Sequence, residues 1–238
     1  MGLPIVQYED LGLMSYMEAW DYQKSIQQSI IKEKRETDHT PTNRLLLCEH
    51  QPVFTLGKSG KIENLVMSPE QLKSNGIEFY KTNRGGDITY HGPGQITGYP
   101  IFDLDQFYND VHRYVRELEQ VVINVLKHFD IDGERLEGFT GVWLPETDKK
   151  PLKRKICAIG VHMSRWVSMH GFALNVKPDL NHFTGIIPCG IQEDTKTVTS
   201  ISQELNQNID LEEVKELLKQ EFRTVFNFQF ERLASAKA

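Results

Sequence analysis

The sequence predicts an α+β chain, mixed α/β in order, with one central sheet flanked by helices. Three observations carry this. Short apolar, strand-like runs dominate the middle of the chain, between Leu45 and Val176. Longer amphipathic patterns flank them, at residues 13–36, 110–129 and 210–225. No repeat, low-complexity tract or linker divides the 238 residues. A sheet buries a face against helices, so these elements read as one layered domain over residues 1–238. A break in helical text at residues 206–209 leaves room for at most a small C-terminal appendage.

Leu3 to Tyr8 is a short apolar segment, expected as an edge strand. Leu13 to Glu36 reads as a long helix with Leu13, Met17 and Trp20 on one face and Ile26 and Ile30 beyond it. Thr37 to Thr42, with Pro41, ends it. Leu45 to Leu47 is a buried strand, Val53 to Leu56 another, and Gly57 to Gly60 a loop. Ser68 caps a helix that has Pro69 at its first position. Ile77 to Lys81 is a strand. Asp110 to Phe129 is the clearest helix: Tyr114, Val115, Leu118, Val121, Val122 and Val125 recur at three and four, and the stripe reads as core rather than binding surface. Gly138 to Leu144 is a strand and Pro145 to Lys153 a charged loop. Lys155 to Met163 and Met169 to Val176 are strands close enough to pair as a hairpin. Pro178 to Gly190 is irregular. Thr199 is placed to cap a short helix to Leu205, and Asp210 a final one with Val214, Leu218 and Phe222 on its apolar face.

Lys and Arg number 27 and Asp and Glu 33, a formal charge of −6. A general nucleic-acid binder would show a basic balance. No apolar run approaches the ~20 residues of a membrane span. Residues 1–10 lack a signal-peptide layout, so a cytoplasmic location is expected. Three cysteines, Cys48, Cys157 and Cys189, are odd in number and form no C-x-x-C, which suggests neither a disulfide framework nor a thiolate zinc site. The eight histidines show no H-x-x-x-H spacing, so no metal is expected.

The stretch from Arg84 to Leu104 organises the chain. Five glycines fall between Gly85 and Gly98, and each interior Gly costs a helix about 1 kcal/mol relative to Ala. Glycine lets a ligand approach the main chain. Arg84, Asp87, Thr89, Tyr90, His91 and Gln95 surround the glycines, so the stretch reads as strand, ligand-cradling loop, strand. It is no nucleotide signature: Gly98 follows Gly92-Pro93-Gly94 one residue too late for G-x-G-x-x-G, and no G-K-[ST] closes it.

The cysteines are the candidate nucleophiles. A free thiol has pKa about 8.5, and lowering it by about two units needs ~2.7 kcal/mol. One ammonium at about 4 Å supplies up to ~4 kcal/mol at an effective dielectric near 20. Lys155 opens an apolar strand, unlike Lys149, Lys150, Lys153 and Arg154 before it, which read as a solvated loop or as contacts for an acidic partner. In a regular strand Lys155 and Cys157 share a face. Cys157 in apolar text also reads as an inert core residue, as does Cys48. Cys189 sits in a turn between Pro188 and Gly190, where a thiol can be exposed and the Gly190 N–H can bind an oxyanion. The residues alone leave Cys157 and Cys189 both open.

Arg84-Gly-Gly-Asp-Ile-Thr-Tyr-His-Gly-Pro-Gly-Gln95, Lys155-Ile-Cys-Ala-Ile-Gly160 and Pro188-Cys-Gly190, in that order and spacing, resemble the octanoyl-acyl-carrier-protein:protein N-octanoyltransferases, the lipoate–protein ligase B family. His50, Pro52, Val53, Thr55 and Gly57 fit a further family pattern. The resemblance spans about Tyr8 to Phe226. It implies a biotin/lipoyl protein ligase-like fold with a mixed, largely antiparallel sheet. It implies Cys189 as nucleophile and Lys155 as its proton partner. Arg84, Gly85, Gly86 and Asp87, with Ile88, Thr89, Tyr90 and His91, would line the acyl pocket. Ala158, Ile159 and Gly160, with Gly171, Phe172 and Ala173, would lie beside the acyl chain. Gly160, Gly171 and Ala173 either leave a slot for that chain or serve tight strand packing. The implied donor is octanoyl-acyl carrier protein. The implied acceptors are lipoyl domains of 2-oxoacid dehydrogenase complexes and the glycine cleavage H protein, with no cofactor. The rival expectations are an ATP-dependent lipoate–protein ligase, an octanoyl amidotransferase between lipoyl domains, and a non-catalytic binding module.

Overall fold

The strand-like runs of the middle of the chain assemble into one large mixed sheet. A computed structural model describes residues 2–37, 39–187 and 196–231. The strands are β1 (Ile5–Met14), β2 (Asn43–His50), β3 (Val53–Leu56), β4 (Glu78–Lys81), β5 (Ile88–His91), β6 (Gln95–Ile101), β7 (Glu134–Leu136), β8 (Phe139–Leu144), β9 (Lys153–Ser164), β10 (Val167–Asn175), β11 (Lys196–Val198) and β12 (Gln229–Phe230). The helices are α1 (Tyr16–Glu36), α2 (Pro69–Ser74), α3 (Val111–Lys127), α4 (Ile201–Leu205) and α5 (Leu211–Phe226). The large sheet runs β12-β1-β2-β6-β10-β9-β8-β7, with β11 also on β9. β1 pairs β12 and β2 in parallel, β11 pairs β9 in parallel, and the remaining pairs are antiparallel. A small sheet, β4-β3-β5, lies apart. The central sheet flanked by helices is the architecture that the sequence predicts, and its mixed, mostly antiparallel pairing is what the family resemblance implies.

The apolar faces of α3 and α5 cover one side of the large sheet. Leu118, Val122, Val214 and Phe222 join Ile96, Ile156 and Leu174 in the main core. Asp110 and Asp210 cap the two helices. α1 covers part of the other side, with Ala19 and Ile30 against Leu46, Tyr99 and Ile101. Beside α1 the small sheet packs its own core of Phe54, Ile88, Tyr90 and Phe183. No helix among the described residues is long and apolar enough to cross a membrane.

Several elements differ from expectation. α1 begins at Tyr16 because Ser15 caps it, accepting from Glu18 N at 3.3 Å, while Leu13 and Met14 extend β1. Leu13 is 52% exposed. The buried face of α1 is Tyr16, Ala19, Gln23, Gln27 and Ile30. Its glutamines bind the main chain of β10: Gln27 Nε2 donates to Val167 O at 2.8 Å, and Gln23 Oε1 accepts from His170 N at 3.0 Å. The helix thus pairs backbone groups that would otherwise be buried alone. Ser200 rather than Thr199 caps α4. The β9–β10 hairpin turns on Arg165 and Trp166, both at positive φ (52° and 65°), the twist a two-residue hairpin turn requires.

The glycine stretch also resolves differently. β5 belongs to the small sheet and β6 to the large one, so Gly92-Pro93-Gly94 carries the chain between sheets. Gly94 has φ +83°, and a Cβ there would stand 2.5 Å from Lys177 O. Only glycine admits that crossing.

Candidate active site

A cavity of about 340 Å³ lies where the two sheets face each other, within the usual range of small-molecule sites. Strand register builds its floor. Thr97 pairs with Ala173 and Ala173 with Ala158; one step away Gly171 pairs with Gly160; on the other side Gln95 pairs with Asn175. Directly opposed residues share a sheet face, so these rows form one surface, and all seven residues line the cavity. Ile159 and Phe172 line it as well.

The small residues of this floor do two different things. A Cβ on Gly171 would stand 2.2 Å from Gly98 O, and one on Gly160 would stand 2.7 Å from Gly85 O. Neighbouring backbone occupies that space, so these glycines serve close strand and loop approach. The reading of Gly160 and Gly171 as gaps left for a chain is thereby corrected. Ala158 and Ala173 make the shallow floor.

The opposite wall is the glycine stretch. Arg84, Gly85, Gly86 and Asp87, then Ile88, Thr89 and His91, all line the cavity. Tyr90 does not: it is 1% exposed and packs with Phe54, His182 and Phe183 in the small-sheet core. Strand alternation in β5 sends Thr89 and His91 one way and Tyr90 the other. Asp87 accepts from Lys61 N at 3.2 Å, Ile88 N at 2.7 Å and Asn64 Nδ2 at 2.5 Å, so it ties this wall to the loop before α2.

A directed chain of hydrogen bonds crosses the site. Arg84 Nη2 donates to Thr55 Oγ1 at 2.9 Å, and Thr55 Oγ1 lies 3.2 Å from His91 Nε2. His91 Nδ1 lies 2.8 Å from Gln95 Oε1. Gln95 Nε2 donates to Tyr90 O at 3.1 Å and to Asn175 Oδ1 at 2.9 Å. With that amide nitrogen committed, Gln95 Oε1 is the acceptor and His91 carries its proton on Nδ1. Asn175 Nδ2 then donates to Thr199 O at 2.9 Å, and Thr199 N donates to Lys155 O at 3.0 Å. Burial, with His50 and Arg84 nearby, holds the His91 pKa well below its ordinary value. His91 is therefore a neutral link in the chain. His170, at φ +59° in β10, is likewise held neutral by burial, its pKa lowered to about 3; its Nε2 lies 2.6 Å from Asn83 Oδ1.

Lys155 and Cys157 line the cavity, but not as a regular strand would place them. Val142 pairs Cys157 and Trp143 pairs Lys155, so Ile156 is an extra residue on β9. Such a bulge resets the alternation. Ile156 and Cys157 both join the main core, while Lys155 rests with Nζ 5.0 Å from the Trp143 ring centroid. Cys157 is 1% exposed, and burial pushes its thiol well above the ordinary range despite the lowering influence of Lys155. Burial pushes the Cys48 thiol up in the same way. Cys189 lies outside the described residues. On either side of that segment, Phe183 and Val198 line the cavity, and Val198 pairs with Lys155.

Thr97, Tyr99, Asn175 and Val115 are cavity residues that the sequence reading did not single out. The period-2 pattern after Gln95 offered Thr97 and Tyr99. Asn175 and Val115 had no local signal, and Val115 qualifies the reading of its helix stripe as core alone. The basic run is largely neutralised: Lys150 and Arg154 meet Glu204, and Lys153 meets Glu134. Among the described residues no group of three or more His, Cys, Asp or Glu is placed to hold a metal ion.

Residues 15–223 match the model of the lipoyl protein ligase A/B catalytic domain. An octanoyltransferase of Cytophaga hutchinsonii is 50% identical over 233 residues, covering 95% of this chain and 94% of that protein. An octanoyltransferase of Christiangramia forsetii is 53% identical over 227 residues, covering 93% and 95%. The bipartite lipoate protein ligase of Thermoplasma acidophilum has TM-score 0.68 at 17% identity, covering 98% of this chain and 87% of that one, a likeness of fold.

Proposed function

Because the chain belongs to the octanoyltransferase family, we propose that it moves an octanoyl group onto the lysine ε-amine of lipoyl domains, as one catalytic domain acting in the cytoplasm. The donor is octanoyl-acyl carrier protein, and the acceptors are lipoyl domains of 2-oxoacid dehydrogenase complexes and the glycine cleavage H protein. The observation that carries this reading is the cavity. Lys155, the motif residues Arg84 to Thr89 and His91, and the floor residues Ala158 and Ala173 all line this one cavity. Burying each CH₂ of a fatty chain on such a floor contributes about 0.8 kcal/mol.

Cys189 is the nucleophile. Its thiolate attacks the carbonyl carbon of the donor thioester, with its proton passing to Lys155. The bond to the carrier sulfur breaks, Lys155 returns the proton to the departing thiolate, and octanoyl-Cys189 remains. The acceptor amine then attacks the same carbon, gives a proton to Lys155, and expels Cys189 as the amide forms. Thioester to thioester is nearly balanced and thioester to amide runs downhill, so the sequence needs no ATP. The reading is supported by the other two thiols, which burial holds protonated.

Intact-protein mass spectrometry after mixing with octanoyl-carrier tests it. The protein should gain one octanoyl group that hydroxylamine removes and that maps to Cys189. Cys157→Ser should keep the adduct. An adduct on Cys157, or transfer from free octanoate only with ATP, overturns the assignment.

A further inference from the structure

The cavity has two exposed rims of different composition: acids and lysines are mixed at one, where Glu134 pairs with Lys153 and Lys196 lies over the Phe139 ring, and lysines predominate at the other. Gly86, Gly138 and Thr140 each line the cavity and are exposed. The rim at Gly138 adjoins Glu137, which is exposed, and Glu134, which pairs with Lys153. The rim at Gly86 adjoins the loop after β3: Ser59 N donates to Gly86 O at 3.2 Å and Lys58 N to Arg84 O at 2.9 Å. Beside it is a shallow depression walled by Lys58, Lys61 and Lys81, with Ile62 and one acid, Glu63. All three lysines are exposed and have no ion pair among the described residues. Burial first, and then the Lys58 charge, lowers the His162 pKa. Ile62 is 44% exposed and Val66, four residues on in the chain, 58%.

What sets these three lysines apart is that they wall one depression together, with Glu63 the one acid among its lining residues. Elsewhere the basic residues near the site, Lys150, Lys153 and Arg154, are met by carboxylates. A cluster of one sign beside exposed apolar side chains complements an acidic protein surface with an apolar residue at its centre. We propose that Lys58, Lys61 and Lys81, with Ile62, form the landing surface for the acidic body of the acyl-carrying donor protein, at the Gly86 rim of the cavity. The inference rests on the octanoyl-transfer reading and places its donor. Exposed pairs are individually weak, so the surface acts through summed, salt-screened attraction over a Debye length of about 8 Å.

The test compares two donors in the full chain: octanoyl-acyl carrier protein, and the octanoyl thioester of N-acetylcysteamine, which has neither protein nor phosphate. The triple variant Lys58→Glu, Lys61→Glu, Lys81→Glu should raise KM for the carrier donor about tenfold or more at low salt and flatten its salt dependence. Its turnover of the small thioester and its KM for the lipoyl domain should stay unchanged, which also shows that it folds. An unchanged KM for the carrier donor overturns the landing surface and leaves octanoyl transfer intact. A raised KM for the lipoyl domain alone assigns the surface to the acceptor and equally overturns it. A wild-type chain that uses the small thioester but never the carrier donor overturns both the surface and the donor assignment.

Discussion

A methyl group on Gly141 would stand 2.9 Å from Lys155 Cε and 2.5 Å from Cys157 O, at a φ of +122°. Gly141 N in turn donates to Glu119 Oε1 at 3.1 Å, and Glu119 is fully buried between Arg116 and Arg135. The bulge at Ile156, this glycine and the Trp143 ring together fix where Lys155 points. Gly141→Ala should therefore lower the rate of octanoyl transfer at least tenfold while the lipoyl-domain KM changes little; an unchanged rate in a folded variant would show that Lys155 tolerates displacement. Lys155→Ala should cost about 10²-fold or more, the usual scale for losing a positioned acid–base group. Lys153→Ala, which removes only a partly exposed pair with Glu134, should cost little. Equal, mild losses at both positions, with unchanged circular dichroism, would reduce Lys155 to an ordinary surface charge.

At the scale of elements, the central strands stand or fall with Gly171. Its missing side chain lets β6 and β10 pair, with Gly98 O at 2.2 Å from the would-be Cβ. Gly171→Val should unfold at clearly lower urea than wild type, because a clash with backbone cannot be relieved by a rotamer change. Wild-type stability with a shortened acyl-chain profile would restore Gly171 to the role of pocket gap. Here the limits of local pattern are visible. α3 and α5 were legible because their apolar stripes recur at helical spacing and Asp110 and Asp210 cap them. The Arg84–His91 wall was legible as a motif. The face of α1 was not, because Gln23 and Gln27 are buried for their bonds to β10, which no hydrophobic pattern encodes. Nor was the Ile156 bulge, since one extra residue in a strand leaves no mark on composition yet moves Cys157 off the face of Lys155. β7 and β12 were too short to register, and Tyr90 followed its motif into the predicted lining although strand alternation turns it into the small-sheet core.

For the molecule as a whole, the three buried histidines give the strongest link between stability and pH, with half-buried His162 shifted in the same direction. Burial lowers the pKa of His50 to about 4 and of His170 to about 3, and holds His91 well below its ordinary value. In the unfolded chain each titrates near 6.5. The folded form is thus neutral at these sites while the unfolded form takes up protons as pH falls. Because the unfolded state binds more protons, stability rises with pH in this window. The contribution is fully present above about pH 6.5 and is lost progressively as pH falls, through about 4 for His50 and about 3 for His170. Each group contributes a slope of about 1.4 kcal/mol per pH unit, so the three together give roughly 4. Two paired carboxylates away from the cavity act lower: Asp105 and Glu204 have pKa values below their ordinary range, held there by Lys34 for Asp105 and by Lys150, Thr199 and Arg154 for Glu204. Urea unfolding at about pH 7 and about pH 5.5 should therefore show a steep fall in stability before those carboxylates titrate. His170→Asn offers the control, since Asn accepts the left-handed backbone that His170 adopts at φ +59°. That variant should reduce the pH slope by about a third, whatever its stability at neutral pH. A slope unchanged by the substitution would mean that His170 is already protonated in the folded protein near pH 5.5.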